Sequence, residues 1–138
     1  MTNEPKITGM RVACLLAASV GLFALANGGW MITRPLIWYG RVPGVAESGY
    51  FNQHFIRDIG FIYILIGSAF LAGIIRANAR AALWGVATLW LAAHAAFHIW
   101  EVVVGLCGPD ALARDFVGVT APALVGIAIT AIACRRPA

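Results

Sequence analysis

Two short runs carry the residue types that can do chemistry. In HFIRDIG, residues 54 to 60, His54, Arg57 and Asp58 open an unbroken apolar stretch; in HAAFHIWE, residues 94 to 101, His94, His98 and Glu101 close another. At roughly 100° per residue, His94, His98 and Glu101 fall within a sector of about 60° on one helix face, while His54 and Asp58 share a face at i and i+4 with Arg57 on its flank. Such sets suit two chemistries. His54, Asp58, His94, His98 and Glu101 are candidate ligands for copper, iron or zinc, since imidazoles one turn apart can aim at one ion. Without metal, Asp58 or Glu101 serves as acid or base with a histidine as proton partner, and Arg57 holds an anionic oxygen. Asn27, with Arg57, is a candidate for orienting a cofactor or ligand.

The elements that must position these groups follow from composition. The chain of 138 residues is 61% hydrophobic and only 12% charged, outside the range of soluble domains. Val12 to Thr33, Ile59 to Ile75, Ala81 to Trp100 and Phe116 to Cys134 contain no charged residue, and each is long enough, or nearly so, to cross a hydrocarbon core of about 30 Å as a helix. The expectation is an all-α integral membrane four-helix bundle, one transmembrane domain over residues 1–138, with spans at about 11–32, 54–75, 81–104 and 116–134. The first span imitates a secretory signal with Ala24-Leu25-Ala26 as its cleavage site, but its apolar run exceeds a signal core, so it is expected to be retained as a membrane helix.

Basic residues set the expected orientation. Lys6 and Arg11, Arg76 and Arg80, and Arg135 and Arg136 all fall on one side of a four-span bundle, against Arg34, Arg41 and Arg114 on the other. Both termini are therefore expected to be cytoplasmic. The net charge of +4 needs no nucleic acid, because no basic face sits on a soluble reading domain. Cys14, Cys107 and Cys134 offer no disulfide framework. The connection from Ile32 to Gln53 is a long first outer loop rich in Trp, Tyr, Pro and Gly, suited to a short interfacial helix, as a lid or a plain aromatic anchor. Small residues four apart, such as Ser68 and Ala72 or Ala92 and Ala96, suit close helix packing. Pro122 should bend the fourth helix or free a carbonyl.

In that topology the polar groups meet at one depth. Asn27 nears the outer end of the first helix, His54, Arg57 and Asp58 open the second, His94, His98 and Glu101 end the third, and Asp115 and Thr120 begin the fourth. A tight turn at 76 to 80 makes the second and third helices neighbours, so Asp58 and His98 are expected face to face, roughly 6 to 9 Å below the outer helix ends. Blander readings stand beside these. His94 can be a packing histidine, Arg57 a counter-ion, Asn27 and Thr120 interhelical hydrogen bonders, Tyr63 and Trp90 packing residues, and Asp115 a solvated acid at a helix start.

The run PGVAESGYFNQHFIRDIGFIY with the later histidine pair, a PGV-x3-G-x2-N-x-HF-x-RD-x-G pattern over roughly residues 43 to 101, resembles small bacterial four-helix integral membrane proteins. The resemblance implies the fold and a bacterial inner membrane, and carries no activity. Neither desaturase histidine boxes nor the inverted halves of a transporter are present. Three functions fit: a transition-metal protein acting as an oxidoreductase component or metal-handling factor; a metal-free enzyme doing acid and base work on a lipophilic substrate such as an isoprenoid, sterol-like or quinone-like molecule; or an accessory subunit of a larger membrane complex. Membrane lipid, a lipophilic substrate and other membrane subunits are the expected partners.

Overall fold

A computed structural model of the chain describes residues 4 to 135. Arg136 lies outside the described residues, as does the side chain of Lys6. The fold is an all-α bundle. Its helices are α1 (Glu4–Thr33), α2 (Pro35–Arg41), α3 (Gln53–Ile75), α4 (Arg80–Val103), α5 (Asp110–Asp115) and α6 (Ala121–Cys134), with one wide helical turn, Phe116–Thr120, joining α5 to α6. Four rods are long and apolar enough to cross a membrane: Thr8–Thr33, Gln53–Ile75, Ala77–Val103 and Asp110–Cys134. The shortest has 23 residues, about 34 Å at the helical rise and enough for the hydrocarbon core. This is a multi-pass membrane protein. Its outward faces agree: Leu15, Leu65, Val86 and Leu89 are each more than two-thirds exposed, a surface suited to lipid rather than water.

Local chemistry sets the helix ends. Pro35 stands in the first turn of α2, and Arg34 before it takes a non-helical conformation (φ −137°, ψ 56°), as a residue preceding proline must when a helix is to stop there. The Asn52 side chain accepts the Phe55 backbone N–H at 3.1 Å and so starts α3. Arginines satisfy carbonyls left over at helix C-termini. Arg57 Nε donates to the Ile32 carbonyl of α1 at 3.1 Å, and Arg80 donates to the Gly73 and Ile74 carbonyls of α3 at 2.8 and 3.0 Å.

The fourth rod starts earlier than the sequence suggested, at Asp110 rather than 116, because Arg114 and Asp115 are paired inside it instead of ending it. Its wide turn sits just before Pro122. The Ala121 N–H reaches back five residues to the Phe116 carbonyl, an i→i+5 pattern that accommodates a proline with no N–H to give. The expected disturbance is real and lies in the turn before the proline.

Packing arranges the rods in a ring. α1 lies along α3 and α4 along α6, with α3 against α4 and α6 against α1 closing the circuit. Among the described residues the α1 and α4 backbones stay apart across the diagonal, bridged at the end bearing the termini by Arg80 Nη1 of α4, 3.2 Å from Met10 Sδ of α1. At the end bearing the termini the centre is filled: Trp84 and Phe70 are fully buried, and Trp84 Nε1 donates to the Phe70 carbonyl at 2.9 Å. Toward the opposite end, where the long connection lies, the diagonal gap stays open.

Candidate functional site

That gap is a cavity of about 750 Å³, within the usual range of small-molecule sites, roughly 300–1,000 Å³. α4 supplies one wall with Trp90, His94, His98 and Glu101; α1 contributes Asn27 and Met31; α3 contributes Ile56, Ile59 and Tyr63. α2 and its connection to α3 roof it. Trp38 Nε1 donates to Asn27 Oδ1 at 2.9 Å, and the Tyr39 hydroxyl donates to the Gly49 carbonyl at 2.7 Å. These bonds fold the roof back onto α1 and onto itself.

One hydrogen-bonded chain runs from the surface into this space. Glu47 accepts from Arg114 Nη1 at 3.3 Å, and Arg114 Nε donates to Asp115 Oδ1 at 2.9 Å. The His98 Nδ1 stands 3.0 Å from Asp115 Oδ2. An ionised carboxylate can only accept, so Nδ1 carries the hydrogen and donates it. In the neutral imidazole that tautomer leaves Nε2 as an acceptor with no partner among the described residues. Asp115 thus orients His98 as the carboxylate of a catalytic triad orients its base. Deeper along α4, His94 stacks on Trp90 (4.9 Å between centroids, 21°) and meets His98 edge-on at 4.8 Å. Glu101 also lines the cavity, and its carboxylate has no protein partner among the described residues.

Of the residues singled out in the sequence, Asn27, His94, His98 and Glu101 border this one cavity. His54, Arg57 and Asp58 do not, and the expected meeting of Asp58 with His98 is corrected. His54 Nε2 pairs with Asp58 Oδ2 at 3.2 Å along the outside of α3, with side chains 89% and 57% exposed. Arg57 is spent on the end of α1. The cause is the rotation of α3, fixed by its glycines. Gly60 must face α1, because a Cβ there would stand 3.1 Å from the Gly28 carbonyl oxygen. Asp58, two residues and about 200° away, then points to the far side.

The metal donor set divides accordingly. Among the described residues no three His, Cys, Asp or Glu side chains stand together as one ion requires, so His54, Asp58, His94, His98 and Glu101 do not assemble into the expected copper, iron or zinc site. Replacing His54 and Asp58 together by alanine is expected to change stability by no more than about 0.5 kcal/mol, the worth of an exposed i, i+4 pair. Detergent-solubilised thermal melts of the double variant check this, and a large destabilisation would show that α3 packs with its polar edge inward.

Sequence reasoning missed Asp115 as the partner of His98, Arg114 as its brace, Trp38 as the roof and Tyr63 as an inner lining residue. Asp115 carried a usable signal: it follows Arg114 directly and lies at the same bundle end as His98. Comparison with protein-family models, curated proteins and solved structures gives no match.

Proposed function

We propose that the protein is a bacterial inner-membrane enzyme that admits a lipophilic molecule with a polar head into the cavity and exchanges a proton with it. The observation that carries this reading is His98, oriented through Nδ1 by Asp115 and bordering an apolar chamber with its Nε2 unpaired. A neutral imidazole held in one tautomer beside a carboxylate is the arrangement general-base chemistry uses. The chain Glu47–Arg114–Asp115 braces that imidazole from the surface side, and Glu101 supplies a second proton acceptor near the mouth. A role confined to helix packing accounts for the Asp115 pair but leaves the cavity and the unpaired Glu101 without a use. The basic residues at the end bearing the termini support cytoplasmic termini, an orientation in which the chamber would open toward the periplasm.

Gly118 provides the test. It lines the cavity, and a Cβ added there meets nothing within 4 Å, so Gly118→Leu adds bulk at the cavity wall with no clash at its Cβ. Wild-type protein purified in mild detergent should release a near-stoichiometric lipophilic molecule on solvent extraction, read by mass spectrometry. Gly118→Leu should keep its helicity and lose most of that molecule. Equal loads on both proteins would mean that the molecule sits elsewhere, and stoichiometric copper, iron or zinc in chelator-free protein, lost in His98→Ala, would replace this reading with the metal one.

A further inference from the structure

The inner end of the cavity holds a polar group that the proton exchange does not use. Tyr63 is only 7% exposed, and its ring packs edge-on against Trp90 at 5.3 Å. Buried phenols ordinarily find a hydrogen-bond partner. This hydroxyl has none among the described residues, yet no buried side-chain oxygen is sealed off without one. It therefore borders open space, and the space Tyr63 borders is the cavity.

Two points on the wall thus seek an oxygen from a guest. Tyr63 packs against Trp90 and offers its O–H near that level; His98 offers Nε2 nearer the mouth, eight residues and about 12 Å further along α4 than Trp90. Between them the wall is aromatic: Trp90 and His94, stacked on one another at 4.9 Å and 21°, both line the cavity. A guest that meets both points and suits an aromatic wall is a ring with oxygen on opposite edges. The outer point is an acceptor when the imidazole is neutral, so it takes a hydroxyl rather than a carbonyl. Resting on the proposed chamber, we infer that the ligand belongs to the quinol class: a hydroquinone ring lies in the cavity beside Trp90 and His94, its inner oxygen accepts from the Tyr63 hydroxyl, and its outer hydroxyl donates to His98 Nε2. Tyr63 is a positioning residue here, and the proton that His98 receives comes from the outer hydroxyl.

The experiment uses full-length protein in lipid nanodiscs, with empty nanodiscs as reference, and measures anaerobic binding of 1,4-dihydroxynaphthalene, 1,4-dimethoxynaphthalene and naphthalene by calorimetry. Wild type should bind the diol about tenfold more tightly than the dimethoxy compound, which keeps the inner acceptor but cannot donate to His98, and naphthalene most weakly of the three. Tyr63→Phe should weaken diol binding about tenfold and leave naphthalene unchanged, since one hydrogen bond is lost and the ring is kept. Diol binding unchanged in Tyr63→Phe overturns the inner anchor. Naphthalene bound as tightly as the diol by wild type overturns the quinol class and leaves the apolar chamber standing. No binding of any compound above the empty-nanodisc level overturns both. The ligand series on wild type decides the class even when Tyr63→Phe does not fold.

Discussion

Asp115→Ala is expected to lower stability by about 2 to 3 kcal/mol, among the largest effects of any single polar replacement in this bundle. The carboxylate receives both Arg114 and His98, with its side chain 13% exposed. Removing it leaves the guanidinium with Glu47 alone, a partner 79% exposed and 3.3 Å away. Stranding one member of a fully buried pair costs about 3 to 5 kcal/mol; Arg114 is about a quarter exposed, and screening brings the figure down. Denaturant titration in mixed micelles, followed by circular dichroism, measures it. The double replacement Arg114→Leu with Asp115→Leu should be less damaging than Asp115→Ala, because the one charge left unpaired, on Glu47, is 79% exposed to solvent. Losses that simply add would show that the two side chains act independently.

The parts of this protein legible in the sequence are those set by solvent. Four charge-free windows gave the four rods, because a bilayer admits few other structures, and the aromatic connection did contain a short helix. The start of the last rod was not legible. Arg114 and Asp115 look like a boundary when charge is counted along the chain, and become helix interior once they neutralise each other and His98. The site was half legible for a related reason. Depth is readable from residue counts, and Asn27, His94, His98 and Glu101 do border one cavity. Rotation about the helix axis is not readable from polar residues alone, since a tight turn makes α3 and α4 neighbours without saying which face α3 shows. A signal for that rotation was present in the glycines. Gly21 and Gly28 on α1, and Gly60 and Gly67 on α3, are each seven residues apart and so lie on one face of their helix. Giving those positions priority over His54 and Asp58 turns α3 correctly and sends the ion pair outward.

The same glycines carry the second large effect, expected of Gly28→Ala and Gly67→Ala. A Cβ on Gly28 would stand 2.6 Å from the Gly60 carbonyl oxygen and 3.1 Å from the Ile64 nitrogen, and one on Gly67 2.6 Å from the Gly21 carbonyl oxygen and 3.0 Å from the Leu25 nitrogen. Each obstacle includes backbone, so neither is relieved by a side-chain rotation; α1 and α3 must separate. In lipid, where close packing drives helix association, that contact is what holds this pair of helices together. Each variant should lose about 2 to 3 kcal/mol. The two contacts are separated by about two helical turns, roughly 10 Å, so the double variant should lose close to the sum. Gly29→Ala is the internal comparison, because a Cβ there meets nothing within 4 Å and alanine favours the helix. Its stability should equal or exceed that of the wild type. Separation of α1 from α3 also displaces Asn27 and Tyr63, which border the cavity from the two helices, so Gly28→Ala should lower the load of the proposed lipophilic molecule while Gly29→Ala keeps it. Equal melting temperatures for Gly28→Ala and Gly29→Ala would mean that the two helices do not meet through these glycines, and the outward placement of His54 and Asp58 would lose its cause.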